Sequence, residues 1–131
     1  MNTKLGKILA EISAGELIDK ITILEIKKEK IRNTEKLVEI EKELKSLNLT
    51  LNKFIPDLKN ISNYKNQLKQ INLKLWDIED GKRLAEKNNK FGDEFIKLAR
   101  NVYKFNDERA KIKLSINNAL GSNIKEVKSY E

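Results

Sequence analysis

The sequence predicts an all-α protein, an antiparallel bundle of about four helices with coiled-coil-like seams. Three observations predict it. Apolar residues recur at steps of three and four over long stretches, the spacing that lines one face of a helix. The single proline, Pro56, and two of the five glycines, Gly92 and Gly121, fall where those stretches break. Charged residues make up 36% of the chain against 39% hydrophobic ones, enough to give each helix an apolar stripe and a solvated face. At 131 residues the chain has the size of one domain, 1–131. A domain of that size buries roughly two thirds of the surface its unfolded chain exposes.

The first helix has the clearest start. Ser13 and Glu16 form an S-x-x-E capping box, with Ile12 and Leu17 placed as a hydrophobic staple around it. The helix runs to about Arg32, and Leu17, Ile18, Ile21, Leu24 and Ile31 keep helical spacing. Ile23 and Ile26 widen that stripe until it can touch two neighbours, so this helix is expected to be central. After the polar break Asn33-Thr34, the residues Leu37, Ile40, Leu44, Leu47, Leu51 and Phe54 make a heptad seam. Pro56 cannot continue a helix interior, so the second helix ends near Phe54 and the third begins between Asp57 and Ser62. Its seam is Ile61, Tyr64, Leu68, Ile71, Leu75 and Ile78, and it extends to about Lys87 with Gly81 as a weak point. Asn88, Asn89 and Gly92 form the next loop. Asp93 is the expected cap of the fourth helix, whose seam Phe95, Leu98, Val102, Phe105, Ile112, Ile116 and Ala119 is closed by Gly121. The ends, Lys4 to Ile12 and Asn123 to Tyr130, are too short to classify. Extended chain, and a short pairing of the two, are the alternatives considered for them.

Composition removes several chemistries. There is no cysteine and no histidine, which excludes disulfides, thiolate metal sites and every histidine-based acid, base or ligand. The stretch Met1 to Ile12 holds only the apolar run Ile8 to Ala10, too brief for a signal-peptide core or a spanning helix, so a cytoplasmic protein without a membrane partner is expected. The net charge of +7 invites a nucleic-acid reading. However, residues 1–65 and 66–131 share the excess as +3 and +4, and Lys outnumbers Arg 23 to 4. Base-edge readers and phosphate clamps favour the forked guanidinium, so nucleic acid is not the favoured partner.

Carboxylate spacing gives the one candidate metal site. Glu16 and Asp19 on the first helix, and Asp77 and Asp80 on the third, each lie three apart on one helix face, a geometry that can hold Mg²⁺ against a phosphate. Two features oppose it: acidic pairs are expected by chance in helices this charged, and Glu16 has a capping role. With helices alternating up and down, Asp19 sits at about 9 Å and Asp77 at about 22 Å along the bundle, too far apart to share an ion. Trp76 lies beside the second pair, at a comparable level to Tyr103 and Phe105. Such a tryptophan is ordinarily a core or interface anchor, with a stacking platform for a base or sugar as the sharper alternative.

Arg109 occupies a seam position between Phe105 and Ile112, where the repeat asks for an apolar side chain. A buried guanidinium needs an acidic partner. The same heights place Arg109 at about 16 Å and Glu25 at about 18 Å, and Arg100 at about 30 Å and Asp80 at about 27 Å, so Glu25–Arg109 and Asp80–Arg100 are the expected ion pairs. In the alternative, both arginines turn outward to water.

Four stretches, GELIDKITILEIK at 15–27, LWDIED at 75–80, LARNVYKFNDERAKIK at 98–113 and EVKSY at 126–130, together resemble a family of short uncharacterised helical proteins of bacteria and their phages. The resemblance covers nearly the whole chain apart from residues 33–65 and implies no reaction, cofactor or catalytic residue. On the residues, the favoured reading is a non-enzymatic helical interaction or assembly protein with no cofactor, self-associating or joined to another helical protein through its apolar seams. A Mg²⁺-dependent hydrolase or other small-molecule enzyme using Glu16, Asp19, Asp77 and Asp80 is the first alternative, and a low-specificity nucleic-acid binder the second.

Overall fold

A computed structural model of the chain describes residues 4–128. Four helices follow one another, α1 (Ala14–Lys30), α2 (Thr34–Phe54), α3 (Ser62–Lys87) and α4 (Asp93–Leu120), and no strand occurs among the described residues. No helix among them is long and apolar enough to cross a membrane.

The ends of the helices follow from side chains close in sequence. Ser13 caps α1, its Oγ accepting from the Glu16 N–H, and Asn33 caps α2 in the same way through the Lys36 N–H. Three lysines, Lys27, Lys28 and Lys30, occupy the last turn of α1, where the helix dipole favours cations. Pro56 follows α2, and an Asp57 side chain accepting from the Lys59 N–H turns the chain toward α3. Asp93 is not the cap of α4. Gly92 holds that position without a side-chain bond, and Asp93 is the first helical residue, its charge set in the positive first turn. α4 ends where Gly121 takes φ +63°, a left-handed conformation that costs glycine little.

α1 is the hub, packing against α2, α3 and α4, while α3 and α4 form a long hairpin. α2 makes close backbone approach to α1 alone. The core joins Leu17, Ile18, Ile21 and Leu24 of α1 to Ile40, Leu44 and Leu51 of α2, Leu68 of α3 and Ile116 of α4, with Ile61 just ahead of α3. Ile18 and Ile21 are fully buried, and each contributes about 1.5–3 kcal/mol. The hairpin closes tightly around Gly81, where an added Cβ would stand 3.2 Å from a methyl of Leu98. The hairpin tip keeps Leu84, Phe91 and Ile96 exposed.

The segments outside the helices adjoin through side chains and not through a strand ladder. Glu11 accepts from the Asn123 amide, and the Ala14 N–H donates to Ser122 Oγ at 3.0 Å. Ser129 and Tyr130, the end of the EVKSY stretch, lie outside the described residues.

Candidate functional site

The most constrained region is the start of α1, where it meets α4 and the tail. An α-helix leaves its first N–H groups without partners. Here each of three receives one from a side chain. The Ala14 N–H donates to Ser122, the Gly15 N–H to Asn117 Oδ1 at 2.6 Å, and the Glu16 N–H to Ser13 Oγ at 3.0 Å. Ser13 in turn donates to the Glu126 carboxylate, which also accepts from Asn117 Nδ2 at 3.2 Å. Burial pushes the Glu126 carboxyl up, but the Ser13 hydroxyl, its own backbone N–H, the nearby Lys113 and Asn117 together hold it below the usual range. Helices approach this closely because residue 15 is glycine: an added Cβ would stand 2.5 Å from the Lys113 carbonyl oxygen.

One turn further along α1 lies a charged layer. Lys113 bonds to Glu16 and stands 4.0 Å from the buried Asp19. Asn72 of α3, also buried, donates its Nδ2 to Asp19 at 2.8 Å and to Thr22 at 2.9 Å. That fixes which way the amide points and turns its carbonyl oxygen to Arg109 Nη1, 3.4 Å away. No buried side-chain nitrogen or oxygen among the described residues is left without a partner.

Beyond Asn72 a cleft of about 260 Å³ opens between α1 and the hairpin. Ile23 and Ile26 of α1 and Leu75 and Trp76 of α3 supply its apolar wall. Lys27, Arg83 and Arg109 bring cations to it, and Glu79 and Asp80 carboxylates. Trp76 is half-buried in this wall.

Comparison with known proteins adds one finding. A model of a family of unknown function, DUF6165, matches residues 8–131. The chain belongs to this family. No curated protein and no solved structure matches it. The range matched to DUF6165 contains all four stretches that carry the resemblance read from the sequence, and the expectation of an uncharacterised family is met.

In this member of DUF6165 the expected site residues separate into different roles. Glu16 and Asp19 are brought together on Lys113, and Glu16 turns to Lys113 and Lys20 instead of closing a capping box. Asp77 is exposed and Asp80 lines the cleft, and no group of three or more acidic residues that could hold a metal exists among the described residues. The expected Glu25–Arg109 pair is not formed. Glu25 lies 3.5 Å from Lys65 and 3.9 Å from Lys69, and Arg109 has its bond to Asn72. The cause is the path of α1. Asp19 meets Asn72, but Glu25, further along α1, meets Lys65, earlier in α3. Forward along α1, these partners move backward along α3, whereas helices alternating up and down would run α1 and α3 in the same direction, so the expected heights do not apply. Asp80 and Arg100 likewise form no ion pair among the described residues. Sequence reasoning missed Asn72, Asn117, Lys113 and Gly15. The available signal was polar or small residues beside seam positions, next to Ile71, Ile116, Ile112 and Leu17 respectively or nearly so.

Proposed function

We propose that this protein is a non-enzymatic assembly protein that associates with a second copy of itself through the segment 4–12. The observation that carries this reading is the state of that segment. Leu5, Ile8 and Leu9 are 80%, 81% and 87% exposed, and none of the segment's N–H groups has an acceptor within the described residues. Its junction with α1 is anchored, Glu11 accepting from Asn123 and Ser13, just beyond the segment, donating to Glu126. Val127, 91% exposed, adds apolar surface from the adjoining tail.

Burying three aliphatic side chains is worth about 5–9 kcal/mol. Association costs about 4–15 kcal/mol in lost freedom. One arm alone is marginal, and a two-fold pair that exchanges two arms doubles the gain. The Mg²⁺ hydrolase alternative gains no support from Glu16 and Asp19, which are engaged by Lys113. The proposed place of action is the cytoplasm, which cell fractionation tests. Light scattering behind gel filtration tests the assembly: a mass near twice 15.2 kDa is expected at tens of micromolar, on the order where weak dimers form. A single-chain mass there rejects the proposal, as does an unchanged dimer when Leu5, Ile8 and Leu9 are all replaced by Ser.

A further inference from the structure

Arg109 is a permanently charged group, half-buried in the lining of the cleft, and among the described residues it has no carboxylate within ion-pair distance. Its one side-chain bond among the described residues, to the Asn72 carbonyl, orients it without neutralising it. Lys27 and Arg83, which line the same cleft, likewise form no ion pair among the described residues. Removing a guanidinium from water without an anion is unfavourable, and with Glu79 engaged by Lys82 the three cations outnumber the one remaining carboxylate, Asp80, so the cleft is a place where an anion is stabilised. The remaining walls narrow the kind of anion. Trp76 offers an apolar ring face, Asp80 a carboxylate without an ion-pair partner among the described residues, suited to accept from hydroxyl groups, and Ile23, Ile26 and Leu75 an apolar backing. A volume of about 260 Å³ lies just below the range of pockets for drug-sized ligands, which suits a single ring better than a nucleotide.

We propose that this cleft binds a small phosphorylated sugar. Arg109 and Arg83 grip the phosphate with their forked donors, Lys27 adds charge, Trp76 packs against the ring, and Asp80 accepts from its hydroxyls. Asn72 is a positioning residue: its bonds to Asp19 and Thr22 aim the carbonyl that holds Arg109 toward the cleft. This site is separate from the proposed assembly surface, so each can fail without the other.

The chain has one tryptophan, so intrinsic fluorescence reads the cleft directly. The full chain is titrated with hexose 1- and 6-phosphates, free hexose and inorganic phosphate, and the same probes and nucleoside monophosphates are followed by calorimetry. The expected result is saturable binding of at least one hexose phosphate with a shifted Trp76 emission, about tenfold or more tighter than either free hexose or phosphate. Arg109→Gln and Arg83→Gln should each weaken it by about tenfold or more. Arg83 is exposed, so its variant is expected to fold even if that of Arg109 does not. No binding of any hexose phosphate at millimolar concentration overturns the proposal. So does affinity left intact by Arg83→Gln. Phosphate binding as tightly as the sugar phosphates, or a nucleotide binding more tightly, overturns the sugar assignment.

Discussion

Replacing Gly15 by Ala inverts an ordinary rule. In an open helix this change stabilises by about 1 kcal/mol, because glycine has more backbone freedom to lose. At residue 15 the new Cβ would stand 2.5 Å from the Lys113 carbonyl oxygen and 3.0 Å from Asn117 Oδ1. The first of these is backbone inside α4 and cannot swing away, so α1 and α4 must part. Overpacking of this kind costs about 1–3 kcal/mol. Parting the helices also stretches the 2.6 Å bond from the Gly15 N–H to Asn117, and a buried group left unpaired costs about 1–3 kcal/mol more. Setting these against the propensity gain leaves a net loss of about 1–5 kcal/mol, centred near 3. Urea unfolding followed by helical circular dichroism measures it, and the midpoint should fall with little change in slope. Gly6→Ala is the control, since a Cβ there meets nothing within 4 Å, and it should be neutral. A Gly15→Ala protein as stable as the parent or more so would refute the close approach of α1 and α4.

Asn72→Ala removes donors from Asp19 and Thr22 together and should cost about 2–4 kcal/mol, read by the same unfolding curves; a loss below 0.5, about the usual effect of a surface change, contradicts the buried network. Lys113→Met leaves Asp19 buried without its cation and should cost about 3 kcal/mol, whereas Glu25→Gln, in a part-exposed pair, should cost under about 1. An equal effect of the two would reject the distinction drawn between the layers. Because the Glu126 pKa is lowered on folding, its stabilisation is present above the unfolded value of about 4.3 and is lost as pH falls through the lower native one. Glu126→Gln should therefore flatten the acid limb of the stability profile, and an acid limb of the same slope argues against the Ser13–Glu126 lock.

The helices were legible because their signals are local. The seams from Leu37 to Phe54 and from Ile61 to Ile78, the break at Pro56 and the stop at Gly121 each act within a few residues, and the observed boundaries agree to within two residues. Asp93 was misplaced by one position, since an acidic residue suits both the cap and the first turn. The ion pairs were not legible. Partner choice depends on how α1 runs against α3, which is decided by tertiary packing in the core that joins Ile18 and Ile21 to Leu68. No periodicity encodes it. Arg109 was correctly marked as an anomaly of its seam, but its neighbour Asn72 lies beside a seam position of α3 and gave no signal of its own. The interlock of Ser13, Asn117 and Glu126 joins residues about a hundred positions apart, beyond any local pattern.

The central claim, that segment 4–12 is a contact surface for a second copy, is tested most directly by amide hydrogen exchange of residues 5–12 across a dilution series. Within one chain these amides have no acceptor among the described residues, so they exchange freely when the protein is dilute. The account expects their protection to rise with concentration, in step with the mass from light scattering, and to vanish in the variant carrying Ser at 5, 8 and 9. Amides of 5–12 that stay unprotected while the mass doubles would contradict it.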